Sequence, residues 1–433
     1  MKPTMLPSRA LWRSILFLLL LAGLVMSGNN AHPDKEPKKE VAIRYPKNEL
    51  RDPVEVARYR WQQEELRRAV QVYFEKAVAT GDIVGAAVSI VRGDSILLSE
   101  GIGESSVGTD RKVDAHTIFR LGSLSKGFTG VLAAKLVEEG KLGWKDKVKE
   151  FFPDFRLGTP TNTEQVTFGN LLSHTSGAPY HSFTNLVEAG IPMEQIVGKF
   201  REVQPVSKPG SLYSYQNALF AISGEMMEKA TGEDLDAALK KRFFDPLGMC
   251  SAVMDYETMS AMTNVAMPHI KWKRGWRSRK LNDHYYNALA AGGINASALD
   301  MAKWMRFLLG HNPEIMDRMS LESAFSPVVE IKGRSKYYQR WRGHISSHYG
   351  YGWRIHKFRE LPGEAVKTMW HHGGSVNNFR NEIALYPEDD LGICVLLNSN
   401  SRLATHVIPE LYQIISEVVR QEPVEMASNY LHE

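Results

Sequence analysis

Phe119-Arg120-Leu121-Gly122-Ser123-Leu124-Ser125-Lys126-Gly127 is the stretch on which the reading of this chain turns. Ser123 stands three residues before Lys126. Phe128, Leu132 and Leu136 follow at i+4 spacing with Val131 and Val137 beside them, and Gly140 closes the run. The spacing predicts an amphipathic helix that opens at Ser123. At i and i+3 the two side chains share a face, and the positive end of a helix favours negative charge developing at the serine. A serine hydroxyl attacks a carbonyl only when a neighbouring base accepts its proton, and Lys126 is placed to be that base. A competing local reading makes Ser123 or Ser125 a helix cap and Lys126 a solvated charge. Other segments decide between them.

Tyr215-Gln216-Asn217 supplies a phenol able to pass a proton between Ser123 and a leaving group, and a carboxamide able to hold both a lysine and a substrate amide. Tyr285-Tyr286-Asn287 repeats the pattern, and each copy is equally readable as a packed ring with a turn residue. His371-His372-Gly373-Gly374 follows the β-type run Val366 to Trp370 and precedes two further apolar runs, Asn381 to Tyr386 and Gly392 to Asn398. Residues two apart on a strand share a face, so His371 and Gly373 are expected to face a cleft, where glycine leaves room for a substrate backbone. A shift of one residue would present His372 and Gly374 instead.

The order Ser-x-x-Lys, Tyr-x-Asn, His-x-Gly resembles the serine β-lactamase and penicillin-binding protein superfamily, in its class C-like branch of β-lactamases, D-aminopeptidases and family VIII esterases. The resemblance extends to Leu171-Leu172-Ser173-His174-Thr175-Ser176-Gly177, Pro209-Gly210, Pro246-Leu247-Gly248-Met249, Ala291-Gly292-Gly293 and Tyr351-Gly352-Trp353, and spans residues 57 to 419. It implies that Ser123 is acylated, that Lys126 and Tyr215 share general-base and general-acid work, and that Asn217 orients Lys126 and substrate. It also implies that His371, Gly373 and Gly374 bind substrate, with the backbone N–H groups of Ser123 and Gly374 as the oxyanion hole. Tyr215, which follows a Pro-Gly turn, inherits the family role, and Tyr285 does not.

Where many relatives carry Lys-Thr-Gly, this chain has a histidine that is mostly neutral near pH 7. Carboxylate recognition is therefore expected to be weaker. The resemblance places carboxylic esters and D-amino-acid amides or peptides first, with a β-lactamase or DD-carboxypeptidase as the alternative and a catalytically silent peptidoglycan- or partner-binding protein as the rival from another class. No Gly-x-Ser-x-Gly elbow, His-Glu-x-x-His motif, P-loop or dinucleotide fingerprint occurs, so no cofactor is implied. His344 and His348 stand four apart, as on one helical face, yet no ordered acidic partner accompanies them and no metal site is expected.

Lys2, Arg9 and Arg13 precede the apolar run Ile15 to Met26, which reads as an export signal or N-terminal anchor over 1–28; an exported, periplasmic or extracellular location follows as an expectation. Residues 29–53 are polar and proline-bearing and read as a linker, 54–421 as the hydrolase-like domain, and 422–433 as a tail. Within the domain, a helix is expected after Asp52-Pro53. A hairpin about Gly93-Asp94, a second turning at Glu388-Asp389-Asp390, and a last helix near Pro409 to Arg420 complete its ends. The expected fold is α+β: an antiparallel sheet built from both chain ends and flanked by helices, with a largely helical lobe inserted over about 127–300. Apolar residues make up 43% of the chain, enough for two packed lobes. Cys250 and Cys394 are too few for a disulfide scaffold. Net charge is +4, with Lys271, Lys273, Arg274, Arg277, Arg279 and Lys280 gathered around Trp272 and Trp276. Export argues against nucleic acid as the partner of that stretch, which reads as a solvated insertion rimming the cleft or as a contact with the anionic cell envelope. The expected partner of the cleft is a small-molecule or short-peptide substrate.

Overall fold

A computed structural model describes residues 53–421 apart from 274 and 362. The expected export segment, the linker up to residue 52 and the tail lie outside the described residues. Helix α1 (Pro53–Ala79) leads into strands β1 (Gly85–Arg92) and β2 (Ser95–Gly103), joined across Gly93-Asp94. Helices α2 (Ser125–Glu138), α3 (Asn217–Thr231) and α4 (Ala298–Leu308) lie in the middle of the chain. Strands β3 (Val329–Glu330), β4 (His344–Tyr349), β5 (Arg354–Phe358), β6 (Lys367–Val376), β7 (Phe379–Tyr386) and β8 (Leu391–Leu397) then precede the last helix, α5 (Val407–Arg420).

The eight strands form one sheet in the order β2-β1-β8-β7-β6-β5-β4-β3, every pair antiparallel. Its N-terminal hairpin joins its C-terminal strands through β1 and β8, from Ala86 opposite Leu397 to Arg92 opposite Leu391. Alternation decides what each face buries. Ala86, Val88 and Ile90 on β1, with Ile393, Val395 and Leu397 on β8, enter a core closed by α1 and α5 through Leu66, Val70, Phe74, Ile408, Leu411 and Ile415. Ala87, Val91, Cys394 and Leu396 enter the opposite core, which contains Phe128, Trp304 and Met305. Strands covered on both faces read as continuous apolar runs; β8 does, and β1 does but for Ser89, whose hydroxyl donates to Ala298 O.

Between the sheet's two halves runs the region from Gly127 to Asp300. It is anchored at both ends by one short ladder in which Ile118–Arg120 pairs with Asn295–Ser297. Helix α2 is not amphipathic as its spacing predicted: only Glu138 is exposed, and Ser125 through Ala134 are buried throughout. The reason is its position. Trp353 donates to the Gly127 carbonyl at 3.2 Å, while Leu289–Gly292 and α3 pack against other sides. The basic stretch forms a separate hairpin, His269–Trp272 against Gly275–Ser278, tied to the end of α1 by Trp276 donating to Gly81 O at 2.9 Å. Both cysteines are free, Cys394 buried and Cys250 exposed. Among the described residues no helix is long and apolar enough to cross a membrane.

Trp304 is fully buried and stacks on Phe128 at 4.1 Å between ring centroids. Trp304→Ala is expected to cost about 3–5 kcal/mol, read as a lowered midpoint in urea unfolding with the slope unchanged.

Candidate active site

Ser123 lies on a 3₁₀ turn, Gly122–Leu124, and the α-helix begins at Ser125, two residues later than the spacing suggested. Ser123 thus precedes the α-helix, and Lys126, its second residue, sits in the first helical turn. Lys126 Nζ is 3.3 Å from Ser123 Oγ, 2.8 Å from Asn217 Oδ1 and 2.8 Å from the Ala291 carbonyl. Tyr215 O–H donates to Ser123 Oγ at 2.9 Å. Three segments far apart in sequence therefore meet at one serine oxygen.

Each segment is held by its own bonds. Ser125 Oγ accepts from Ile294 N–H at 3.0 Å and Thr129 Oγ1 donates to Ala290 O at 2.8 Å, which fixes the chain around Ala291 against α2. The Ala291-Gly292-Gly293 block thus supplies a backbone acceptor to the lysine. His174, in the Leu171 to Gly177 block, holds the segment that carries Tyr215. Its carbonyl accepts from Ser214 N–H at 2.8 Å, its Nδ1 accepts from Gln216 N–H at 3.2 Å, and its ring lies 4.2 Å from the Tyr215 ring. Asn217 opens α3 and donates to Thr184 Oγ1 at 3.4 Å, leaving its oxygen for Lys126.

Burial sets the electrostatics. Lys126 is fully buried, and desolvation, assisted by the charge of Arg354, holds its amine well below the ordinary lysine range. Burial pushes the Tyr215 phenol up to about 12 against the lowering effects of Arg354 and the Ser123 bond, so it stays a proton donor at neutral pH. Arg354 is the cation of this region. Its Nε and Nη1 are buried without a hydrogen-bond partner, its Cζ lies 4.9 Å from the Tyr338 ring centroid, and its charge reaches Lys126, Tyr215 and His372.

The third motif differs from the preferred reading by one residue. His371 and Gly373 lie on the far face of β6. His371 is fully buried there, with Nε2 2.8 Å from Glu382, and does not face Ser123. His372 and Gly374 face the serine. The His372 ring is 6.4 Å from that of Tyr215; its Nδ1 donates to Gly373 O at 2.8 Å, so Nε2 accepts from Tyr349 O–H at 3.0 Å. Gly374 is pressed so closely on the serine turn that a β-carbon there would stand 2.2 Å from Leu121 O. Gly122, at φ +56°, has its own β-carbon direction 3.0–3.1 Å from the Ser375 backbone. The residue following the motif beside Ser123 is therefore Ser375, not Gly374. A one-residue change of register turns every side chain of a strand over.

The second Tyr-x-Asn copy is structural: the Tyr285 ring is buried against Gly292, and Asn287 Nδ2 donates to Ile191 O at 2.6 Å. His344 and His348 are on β4 rather than a helix, and His344 is bonded to Ser347. His174, Tyr349 and Arg354 were given no role from sequence. The only signal for Arg354 was its place directly after Tyr351-Gly352-Trp353.

The Beta-lactamase family profile matches residues 70–412. This chain belongs to the Beta-lactamase family. Family members of this fold are serine hydrolases. Among curated relatives, Unguisins hydrolase ungD of Aspergillus violaceofuscus is 27% identical over 358 residues, covering 75% of this chain and 60% of the relative. Protein flp of Staphylococcus aureus is 22% identical over 351 residues, covering 80% and 66%. The chain thus spans less than two thirds of these relatives' length. The octameric penicillin-binding protein homologue from Pyrococcus abyssi superposes with a TM-score of 0.68 at 26% identity, covering 80% of this chain and 77% of that one. EstCE1, a hydrolase with promiscuous acyltransferase activity, shares the fold with a TM-score of 0.67 at 19% identity, covering 83% and 99%.

Because Gly374 leaves no space for a methyl group, Gly374→Ala is expected to push β6 off the serine turn and cost about 1–3 kcal/mol, measured by thermal or chemical unfolding.

Proposed function

We propose that this protein is a serine hydrolase acting through an acyl-enzyme on Ser123, with carboxylic esters or D-amino-acid amides and peptides as acyl donors. The convergence of Lys126 Nζ and Tyr215 O–H on Ser123 Oγ carries the reading. A neutral amine has two protons and one lone pair. Asn217 Oδ1 and Ala291 O, each at 2.8 Å, accept the two protons, which leaves the lone pair for the serine proton. A buried amine poised below its ordinary range acts as general base near neutral pH. As Oγ bonds to the carbonyl carbon, its proton passes to Lys126. The oxyanion is met by the N–H groups of Ser123 and Ser375. Collapse expels the leaving group with a proton delivered through Tyr215, whose phenol is then reprotonated from Lys126. Water repeats the sequence on the acyl-enzyme and frees Ser123.

Arg354 revises the expectation about charge. His372 is kept neutral by burial and by the charge of Arg354, so it cannot replace the family's lysine as a cation. Arg354, with buried N–H groups lacking protein acceptors, supplies that charge from the neighbouring strand and favours donors that carry a carboxylate near the scissile bond. We further propose that the enzyme works outside the cytoplasm, as the apolar run Ile15 to Met26 after three cationic residues suggests.

Mass spectrometry after treatment with a fluorophosphonate is expected to find one adduct on Ser123, lost in Ser123→Ala. No adduct at high probe concentration would favour a silent binding protein. On whichever short ester or D-amino-acid amide is turned over, Ser123→Ala is expected to lower kcat by on the order of a million-fold. Arg354→Met is expected to reduce kcat/KM by roughly 10- to 100-fold for a substrate with a free carboxylate and by only a few-fold for its neutral methyl ester, as lost charge-assisted hydrogen bonds predict. Equal loss on both substrates would remove the carboxylate assignment.

A further inference from the structure

His371 and His344, which the proposed acyl transfer does not use, belong to one hydrogen-bonded chain on the far face of the sheet. His344 Nε2 meets Ser347 Oγ at 2.7 Å, Ser347 Oγ meets His356 Nδ1 at 2.8 Å, His356 Nε2 meets His371 Nδ1 at 3.3 Å, and His371 Nε2 meets Glu382 Oε2 at 2.8 Å. Tyr337 O–H closes the inner end by donating to both Glu382 oxygens at 2.8 and 2.9 Å. The outer end is half-buried His344, which with His356 borders a cavity of about 300 Å³ between the sheet and α5. Glu382 and His371 are wholly buried. The inner end touches the catalytic strand: the Glu382 oxygens lie 2.9 Å, and the Tyr337 hydroxyl 2.6 Å, from the β-carbon direction of Gly373, two residues before Ser375.

The chain accepts either of two polarities without losing a bond. With Glu382 ionised, His344, Ser347, His356 and His371 each donate inward, and His371 Nε2–H points to the carboxylate. With Glu382 protonated, its O–H donates to His371 Nε2, His371 Nδ1–H to His356, His356 Nδ1–H to Ser347, and Ser347 O–H to His344. One polarity converts to the other when water gives a proton to His344 Nδ1 and each member passes one proton inward. The proton count balances, and Glu382 ends as a carboxylic acid.

We propose that His344, Ser347, His356 and His371 form a proton path from solvent to Glu382, and that Glu382 and His371 are positioning residues whose shared proton sets the charge behind Gly373–Ser375. The charged and titratable groups around the pair are Arg380 at 3.6 Å from Glu382, Arg354 on β5, Tyr337 and Tyr338 from the preceding turn, His356, His372 on β6 and Cys394 on β8. Burial, with the charges of Arg354 and Arg380, keeps His371 neutral, whereas burial lifts the Glu382 carboxyl to about 7. Glu382 therefore holds a proton below neutrality and releases it above. The catalytic consequence rests on Ser123 being the nucleophile; the path itself does not.

Infrared difference titration of the full chain is expected to show a carboxylic-acid carbonyl band that disappears as pH rises through neutrality and is missing from Glu382→Gln. After a jump from acidic to alkaline pH, loss of that band is expected to slow by more than about tenfold in His356→Leu and in the outer-end variant His344→Gln, because exchange then waits for local opening. An unchanged band in Glu382→Gln, or unchanged rates in both path variants, would overturn the proposal. If Glu382→Gln does not fold, the rate in His344→Gln decides. In parallel, Glu382→Gln is expected to lose a near-neutral ionisation from its kcat/KM profile while fluorophosphonate still labels Ser123. Failure of wild-type labelling would count against the hydrolase reading and leave the infrared result standing.

Discussion

A single dehydrated amine organises this molecule. Lys126 is buried where water cannot reach it, and an ammonium there would carry a desolvation cost that the nearby cation Arg354 only increases. The fold answers with two neutral acceptors, Asn217 Oδ1 and Ala291 O, and, among the described residues, with no carboxylate in contact. A carboxylate would have made a stable ion pair and an inert lysine. To bring those acceptors to Nζ, the chain must return twice to the same helix, once through α3 and once through the Ala290 to Ile294 segment. The buried faces of α2, the ladder beside it and the His174 clamp all serve that convergence.

Much of this was legible in the residues. The chain ends announced their strands because alternation on doubly covered strands yields apolar runs such as Ile393 to Leu397, and turn residues such as Gly93-Asp94 separate them. The approach of Ser123, Lys126, Tyr215 and Asn217 was expected from the family resemblance that the order of the motifs carries. The orientation of β6 was not legible. His371-His372-Gly373-Gly374 repeats each residue type on both faces, so period-two patterning carries no information there, and only the packing of Gly374 on Leu121 selects the register. The burial of α2 was hidden for a related reason: Lys126 and Thr129 look like an exposed face until their partners arrive from distant sequence. Arg354 was overlooked because an arginine on a strand is ordinarily solvated.

Two adjacent histidines on one strand thus have different tasks. His372, capped by Tyr349 and its neighbour's carbonyl, lines the serine side with a neutral ring. His371, one peptide away, belongs to a polar network between the sheet and its covering helices. The strand is a thin partition, and glycines at 373 and 374 let polar groups from one side and the serine turn from the other come within contact of the same backbone.

The join between β1 and β8 governs how the molecule is made. Gly85 N–H bonds to Asn398 Oδ1, a partner 313 residues away, and Asn398 Nδ2 reaches back to Glu104 O. During synthesis the first hairpin emerges long before the strand that covers its edge, so β1 exposes unpaired backbone until almost the whole chain is available. Closure of so large a loop makes assembly slow relative to helix formation. A ribosome that stops short of β8 leaves a chain with Ser123, Lys126 and Tyr215 all present and no finished sheet to hold them together.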